Sequence, residues 1–270
     1  MYKGLIKPLD EAQKIAYLAR IGITDTPAPT AEELTRLVFA HHCSVPFENL
    51  DVCEFGLIPD LNIDALYDKV VVRRRGGYCF EMNAIFAALL TSLGFEVIPH
   101  IAKVGGPMGV VPSMHRVNLV KIDGQLYFCD VGLGALMPSG GLRFENDTPQ
   151  VLRGLTFRFT GVDTPWAMLY NDKEGGPVPM LQINTAPHAP EEFASPNALC
   201  AAPGGYFSLA RMVNLTLPNG SIALSNNKLT VRRDGEVTIT ELTTQREFYD
   251  ALKEYYDIDL PAKVFPNFGF

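Results

Sequence analysis

The stretch that decides the fold is Arg75-Gly76-Gly77-Tyr78-Cys79-Phe80-Glu81-Met82-Asn83, which sets a cysteine behind two glycines at the head of an apolar run. Apolar residues recur at helical spacing from Met82 to Leu93, and Gly94 follows where a helix would end. The pattern predicts one buried helix with Cys79 in its first turn. The backbone N–H groups of a first turn favour an anion, so we expect this thiol to ionise more readily than a free one.

The two glycines lie on the side from which a substrate would reach the sulfur. Because glycine has no side chain, we expect Gly76 and Gly77 to leave this approach to Cys79 open. A cysteine in an apolar run is equally compatible with a packed core thiol that does no chemistry. Residues further along the chain are needed to choose between these interpretations.

A histidine and an aspartate lie on a predicted β-hairpin. The runs on either side of Asp123-Gly124, a dipeptide typical of a two-residue hairpin turn, have the composition of strands. Closing the hairpin at this turn brings Asp130 opposite Val117. His115 is two residues before Val117, so its side chain lies on the same face of the sheet. We therefore expect His115 and Asp130 to be diagonal neighbours within side-chain reach.

These residues suggest a specific chemistry. A carboxylate beside an imidazole can hold the ring's tautomer while the other ring nitrogen faces a thiol. Cys79, His115 and Asp130 have the order of a thiol acyl-transfer site, so they are the predicted catalytic residues. For the hairpin alone, a surface His–Asp pair without function is the alternative interpretation.

Together these motifs resemble those of the arylamine N-acetyltransferases. The family pattern Arg-Gly-Gly, aromatic, Cys, any residue, Glu, any residue, Asn is matched by 75–83. Its histidine before a hydrophobic strand is matched by 115–120, and its Asp-Val-Gly-Phe-Gly by 130–134, with leucine in place of phenylalanine. Two upstream segments, 17–22 and 45–50, resemble further family signatures.

The resemblance implies an activity. An acetyl group would move from acetyl-coenzyme A, through a thioester on Cys79 in a ping-pong sequence, to an arylamine or arylhydrazine, as in xenobiotic metabolism. The backbone N–H of Cys79 would hold the oxyanion. Arg75 would be a structural residue tied to a carboxylate, for which Glu48 is the candidate. The implied substrate-binding residues are Phe47, Tyr78 and Leu133.

The resemblance also implies an α+β fold, in which a helical bundle, an antiparallel β-barrel and an α/β lid surround a cysteine-protease/transglutaminase-like catalytic core. The expected domains are a helical domain over 1–94, which carries the cysteine, a β-barrel domain over 95–190, which carries the His–Asp pair, and the α/β lid domain over 191–270. The lid would help to bind coenzyme A, but 191–207 departs from the family pattern, so no coenzyme contact is assigned. Within the lid the patterns predict strands over 207–217 and 221–233 and a helix over 243–256.

The composition is that of a globular protein without a basic surface. Of 270 residues, 47% are hydrophobic and 20% charged, and the formal net charge is −7. A negative chain has no basic field to hold nucleic acid, so we expect no nucleic-acid partner. No apolar run reaches the roughly 18 residues of a membrane span, and the first residues do not read as a signal peptide. We therefore expect no membrane partner and a cytoplasmic location.

The cysteines and histidines lack metal-site spacing. Five cysteines, an odd count without a Cys-x-x-Cys pair, argue against a disulfide framework and a zinc site. His41-His42-Cys43 sets three candidate ligands side by side, but adjacent helical residues point in different directions. We expect no metal, and small-molecule partners only.

Two other functions remain open on the sequence alone. With water or a peptide amine as second acceptor, the same triad would make a papain- or transglutaminase-like thiol hydrolase or amide synthase. With an inert buried Cys79, the chain would be a non-enzymatic binding protein. The 75–77 and 46–49 motifs favour the acetyltransferase.

Overall fold

A computed structural model describes residues 5–106, 109–134 and 137–260, with the backbone alone at 106 and 109–113. The helices are α1 (Glu11–Arg20), α2 (Ala31–Ser44), α3 (Leu50–Cys53), α4 (Ile63–Tyr67), α5 (Cys79–Ser92), α6 (Ala194–Ala201) and α7 (Gln245–Tyr256). A π-helical turn (Asp68–Val72) continues α4, and 3-10 turns lie at Pro190–Phe193 and Tyr206–Ser208. Within the described helices, none is long and apolar enough to cross a bilayer.

The strands follow α5 except for one short segment near the start of the chain. They are β1 (Phe47–Glu48), β2 (Glu96–Gly106), β3 (Gly109–Ile122), β4 (Gln125–Cys129), β5 (Leu142–Arg143), β6 (Gln150–Leu152), β7 (Leu155–Thr160), β8 (Trp166–Lys173), β9 (Gly176–Asn184), β10 (Met212–Leu217), β11 (Gly220–Ser225), β12 (Lys228–Arg233) and β13 (Glu236–Glu241). In the described residues these strands form an eight-stranded sheet, called the larger sheet below, and a five-stranded one, the smaller sheet.

Helix α5 is the centre of the N-terminal part. It is buried from Cys79 to Leu90, so it is apolar on every side rather than on one face. Helices α1 and α2 pack around it, and both begin at side-chain caps, because Asp10 accepts the Gln13 N–H and Thr30 accepts the Glu33 N–H. Removing a large side chain from such a core typically costs about 2–5 kcal/mol. The predicted buried helix and its start at Cys79 are confirmed.

The larger sheet carries the predicted hairpin. Its order is β5-β4-β3-β2-β9-β8-β7-β6, with antiparallel neighbours, and it forms a nearly closed barrel around an apolar interior. Ile122 lies opposite Gln125, and Asp123 and Gly124 have φ of 49° and 85°, as a type I′ turn requires. The predicted register is confirmed, and it sets the relative positions of β3 and the end of β4.

The smaller sheet joins the two ends of the chain. Its order is β1-β10-β11-β12-β13, and α7 packs against it through Phe248 and Leu252. Strand β1 belongs to the N-terminal third, and Phe47 lies opposite Asn214. The predicted α+β fold is therefore found, with one strand of the smaller sheet supplied by the N-terminal third of the chain.

Three details of the C-terminal part differ from the sequence patterns. The strand predicted over 221–233 is wrong as one element, because the chain turns at Asn226 (φ 52°) and returns as β12. The strand predicted over 207–217 begins only at Met212, because 207 and 208 belong to a 3-10 turn. Helix α6 is present where no helix was predicted.

The first predicted domain boundary falls between elements, whereas the second, at 190/191, falls inside the 3-10 turn Pro190–Phe193. Helix α5 ends at Ser92 before β2, and β9 ends at Asn184 before the turn that leads to α6. Residues 1–4 and 261–270 of the first and third predicted domains lie outside the described residues. Because β1 pairs with β10 across these boundaries, the three-domain division stays a prediction.

Candidate active site

The cysteine sits at the head of α5. Tyr78, in extended conformation (φ −100°, ψ −172°), is the residue before the helix, and Cys79 opens the first turn. The Glu81 side chain accepts the Tyr78 N–H at 3.1 Å, which fixes the start of the helix. Cys79 is 2% exposed and its first-turn N–H groups point away from the helix body. This end of α5 can receive a negative charge.

The histidine and aspartate meet beside it. His115 on β3 and Asp130, directly after β4, are both buried, and the ring Nε2 lies 2.6 Å from Asp130 Oδ2. This contact leaves Nδ1 available to Cys79, which is close enough to raise the pKa of His115. The three side chains predicted to form one site are thus brought together.

His115 and Asp130 each stabilise the charged form of the other. Burial lowers the pKa of His115, but the Asp130 carboxylate and Cys79 outweigh burial and raise that pKa to about 10. Burial raises the pKa of Asp130, yet the charge of His115 and the hydrogen bonds to the carboxylate hold it below its ordinary value. At neutral pH the pair is therefore an imidazolium and a carboxylate.

Asn83 holds the carboxylate from the other side. Its Nδ2 donates to Asp130 Oδ1 at 2.8 Å and to the Arg116 carbonyl at 2.6 Å, and its Oδ1 accepts the Val131 N–H at 3.0 Å. The Gly132 N–H also donates to Asp130 Oδ1, at 2.8 Å. Sequence reasoning gave Asn83 no role. Its position one helical turn after Cys79, on the same face of α5, was the available signal.

The glycines of the Arg-Gly-Gly turn serve packing. A Cβ on Gly76 would lie 1.8 Å from the Pro46 carbonyl oxygen, and one on Gly77 would lie 2.9 Å from Glu81 Cβ. The expectation that they open a substrate path is therefore wrong, because protein fills the space. Gly132 lies close to Cys79, since a Cβ there would lie 2.6 Å from the Cys79 Cα.

A buried group of charges supports the start of α5. Arg75 pairs with Glu48 at 2.7 Å, as predicted, and with Asp51 at 2.9 Å. Lys69 adds contacts of 2.7 Å to Asp51 and to Glu81. Separating these residues would leave a buried charge without its partner, which is costly. The group therefore holds β1 and the start of α5 in one arrangement.

A cavity of about 620 Å³ opens in front of the cysteine and is mainly apolar. Phe47 and Leu133, two of the three predicted substrate-binding residues, are part of its wall. Its described lining residues are Phe47, Cys79, Val104, Met114, His115, Gly132, Leu133, Gly134, Leu199, Cys200, Tyr206, Phe207, Met212 and Asn214. Helix α6 and the 3-10 turn after it supply the outer wall.

Tyr78, the third predicted substrate contact, is fully buried and does not line this cavity. Its hydroxyl donates to the Asn197 side chain on α6, and its ring meets Phe207 edge-on at 5.0 Å. Asn197 in turn donates to the Pro59 carbonyl at 2.9 Å. The placement corrects the prediction, because Tyr78 supports the wall from behind instead of facing a ligand.

A second cavity, of about 540 Å³, lies on the other side of Leu133 and Gly134. Its wall includes the cation Arg232 and the hydroxyl groups of Ser139 and Ser221. In the described residues no three His, Cys, Asp or Glu side chains gather closely enough to hold a metal ion. The polar groups here suit an anion, since they are donors and one of them is positively charged.

Comparison with known proteins gives consistent matches. A family model described as N-acetyltransferase matches residues 30–265. The arylamine N-acetyltransferase / N-hydroxyarylamine O-acetyltransferase of Salmonella typhimurium is 34% identical over 59% of this chain and 57% of that protein, a little over half its length. The arylamine N-acetyltransferase of Mycolicibacterium smegmatis is 30% identical over 90% of this chain and 91% of that protein. The structure of Mycobacterium marinum arylamine N-acetyltransferase in complex with CoA has a TM-score of 0.81 and 28% identity, and the match covers 90% of this chain and 92% of that one.

Proposed function

Because the chain belongs to the arylamine N-acetyltransferase family, we propose that it transfers an acetyl group from acetyl-coenzyme A to an arylamine or arylhydrazine through a thioester on Cys79. The observation that carries this proposal is the buried contact of Cys79, His115 and Asp130 at the inner end of an apolar cavity. This arrangement pairs a nucleophile with an oriented base. Under this proposal the three residues are the catalytic ones.

The first step loads the enzyme. The Cys79 thiolate attacks the acetyl carbonyl carbon, the new S–C bond forms, and the bond to the coenzyme sulfur breaks. The first-turn N–H groups of α5, including that of Cys79, would hold the oxyanion of the intermediate. The imidazolium of His115 gives its proton to the departing coenzyme thiolate. One thioester replaces another, so the step is nearly balanced.

The second step transfers the acetyl group to the amine. Acylation removes the negative charge of Cys79, which is one of the groups that raise the His115 pKa. The imidazole then holds a proton less strongly, so it can accept one from the attacking amine nitrogen. Collapse of the intermediate breaks the S–C bond and restores the thiolate and the imidazolium.

The cavity wall supports an aromatic acceptor. Phe47 and Phe207 offer ring edges and faces, and the sulfur atoms of Met114 and Met212 are polarizable neighbours of aromatic rings. We assign Phe47 and Leu133 to the acceptor pocket. A charged or strongly hydrated acceptor would lose water on entry without a matching partner among these groups.

The second cavity supports a place for the coenzyme. It adjoins the first through Leu133 and Gly134 and carries Arg232 and hydroxyl donors, which suit phosphate oxygens. We propose that coenzyme A reaches from this cavity to Cys79. All five cysteines are free, which supports work in a reducing compartment such as the cytoplasm, where xenobiotic amines would be acetylated.

Mass spectrometry of the intact protein tests the covalent route. After incubation with acetyl-coenzyme A, the wild type should gain one acetyl group on Cys79 and lose it when an arylamine is added. Cys79→Ser should not form the thioester, and Asp130→Asn should transfer roughly 1,000- to 10,000-fold more slowly, because an amide holds the ring in the wrong tautomer. A wild type that never acquires the acetyl group would refute the proposal, and loss of the group to water alone would indicate a hydrolase.

A further inference from the structure

Lys69 is a buried cation for which the acetyl-transfer steps give no role. It is 5% exposed and lies in the π-helical turn Asp68–Val72, before the turn that leads to Cys79. It is not among the described residues that line either cavity, so we expect it to make no contact with a substrate. Lysine is rarely buried unless it is paired, because removing its charge from water is costly. Its partners therefore indicate what it does.

Lys69 holds both ends of the turn that precedes the cysteine. Its backbone carbonyl accepts the Arg75 N–H at 3.0 Å, and its Nζ lies 2.7 Å from Glu81 Oε1. Between these two contacts the chain contains the two glycines, Tyr78 and Cys79. One residue thus spans the whole turn, from the residue before the glycines to the first turn of α5.

Lys69 lies on the inner side of the π-helical turn. The Arg73 N–H donates to the Asp68 carbonyl at 2.8 Å, which is the wider hydrogen bond of a π-helix. Lys69 and Val70 are buried in this turn, whereas the Arg73 side chain is 56% exposed and pairs with Asp68 at 2.7 Å. Single π-helical turns are frequent at functional sites. This one directs one cation inward and another to the surface.

The contact with Glu81 continues to the backbone beside the nucleophile. Glu81 Oε2 accepts the Tyr78 N–H at 3.1 Å, while its Oε1 is held by Lys69. Gly77 leaves room for this carboxylate, because a Cβ there would lie 2.9 Å from Glu81 Oε2. The Tyr78 N–H is one residue before the Cys79 N–H, the proposed oxyanion donor. Fixing the first N–H therefore limits the movement of the second.

The charge of Lys69 keeps this carboxylate in place. Glu81 is 2% exposed and belongs to a group with two more carboxylates, those of Glu48 and Asp51. In the described residues the cations paired with these three carboxylates are Lys69 and Arg75. Without Lys69, Glu81 would have to take up a proton or move, since a buried charge without a partner is costly. Either change weakens its hydrogen bond to the backbone.

We propose that Lys69 is a positioning residue of acetyl transfer, which acts through Glu81 to fix the backbone at Tyr78 and thereby the place of Cys79. The inference rests on the proposed function in taking Cys79 as the nucleophile and its N–H as the oxyanion donor. A misplacement of about 1 Å at reacting groups can lower a rate roughly 100-fold. The effect of Lys69 therefore belongs to the rate of acetylation and not to the affinity for acetyl-coenzyme A.

The test measures, in a single turnover, the rate at which acetyl-coenzyme A acetylates Cys79 at several concentrations of the coenzyme. Lys69→Met should lower the maximal rate roughly 10- to 100-fold and leave the half-saturating concentration within about twofold of wild type. Adding Glu81→Gln to Lys69→Met should restore the rate to within about fivefold, because glutamine also accepts the Tyr78 N–H and leaves no charge unpaired. Arg73→Met is the matched control and should keep the wild-type rate, since it removes a cation from the outer side of the same turn.

The outcomes separate positioning from stability. A folded Lys69→Met with the wild-type rate overturns the proposal, as does an equal loss in Arg73→Met or a failure of Glu81→Gln to restore the rate. If Lys69→Met does not fold, its combination with Glu81→Leu decides, because that double variant has no unpaired charge and no acceptor for the Tyr78 N–H. It should acetylate slowly, and a wild-type rate would count against the proposal. A wild type that is never acetylated refutes the proposed function, whereas equal acetylation of wild type and Lys69→Met refutes only this inference.

Discussion

Asn83 donates its side-chain amide to Asp130 Oδ1 at 2.8 Å, which ties the carboxylate beside His115 to the helix that begins with Cys79. The proposed nucleophile and the carboxylate that would orient its base are thus attached to one helix, although they come from different parts of the chain. The one-turn spacing of Cys79 and Asn83 on α5 sets the distance between them. This relationship makes Asn83 the first residue to test.

Asn83→Ala should weaken both stability and catalysis. It removes a donor to Asp130 and the acceptor of the Val131 N–H, and an unsatisfied buried group costs about 1–3 kcal/mol of unfolding free energy. A displaced Asp130 should lower kcat roughly 100-fold. Urea unfolding and coenzyme A release measure the two effects.

Asn171→Ala is the control, because Asn171 is buried on β8 and neither side-chain polar atom has a hydrogen-bond partner in the described residues. Wild-type kcat in Asn83→Ala would contradict this role.

The stability of the protein should fall at alkaline pH through His115. Its pKa is raised to about 10, so its contribution is fully present below the unfolded value of about 6.5 and is lost as pH rises toward 10. His115→Gln should flatten this part of the urea-unfolding profile. His100→Gln is the opposite control, because burial lowers the pKa of His100 to about 4 and its effect appears only as pH falls below about 6.5. An unchanged alkaline slope in His115→Gln would count against a raised pKa.

Cys79 should react with iodoacetamide well before the other cysteines. Burial raises the pKa of Cys43 to about 11 and that of Cys200 to about 12, and it also raises those of Cys53 and Cys129. These thiols are therefore neutral at pH 7, and the thiolate is the reactive form. Peptide mapping after brief labelling gives the order. Cys200→Ser is the control for a thiol in the same cavity and should leave the labelling of Cys79 unchanged, whereas equal early labelling of a second cysteine would refute the assignment.

Leu133→Phe should improve the use of small flat anilines. Leucine lacks the ring that the family motif has at this place, and aromatic pairs contribute about 0.5–1.5 kcal/mol beyond area burial. We expect kcat/KM for small anilines to rise roughly two- to tenfold, with less gain or a loss for bulky amines, because the cavity becomes smaller. The measurement compares matched small and bulky amines in both proteins. A change that is equal for both kinds of amine would show that Leu133 does not contact the acceptor.

Tyr78→Phe should loosen the outer wall without harming the nucleophile. The lost hydroxyl leaves Asn197 Oδ1 on α6 without its donor, at a cost of about 1–3 kcal/mol in unfolding free energy. We expect acetylation of Cys79 to be unchanged and KM for the amine to rise a few-fold. Tyr206→Phe is the matched control, because Tyr206 lines the cavity itself and is 66% exposed. Equal effects of the two changes would argue against an anchoring role for Tyr78.

The contact between His115 and Asp130 could be predicted because local signals determine it. An Asp-Gly turn sets the hairpin register, and strand alternation then brings the two side chains to one face. The start of α5 was equally local, since two glycines precede a long apolar run. In both cases short-range chemistry and the tertiary fold agree.

The features that were missed depend on distant parts of the chain. Helix α6 has few local signals and is held by Asn197, whose partners are Tyr78 and Pro59. The role of Gly76 is visible only once the Pro46 carbonyl lies against it. The turn at Asn226 is different, because its signal is local. Asn226-Asn227 is a pair that tolerates the left-handed conformation of a tight turn, and it was overlooked between two runs that suit strands.

Strand β1 pairs with a segment that is synthesised much later. It pairs with β10, and Asn49 holds Met212, 163 residues further on. On the ribosome, Cys79, His115 and Asp130 are therefore all synthesised long before Phe207 and the strand that closes the cavity. The residues of the proposed triad are thus available to the nascent chain before α6 and β10, which complete the cavity wall, have been synthesised.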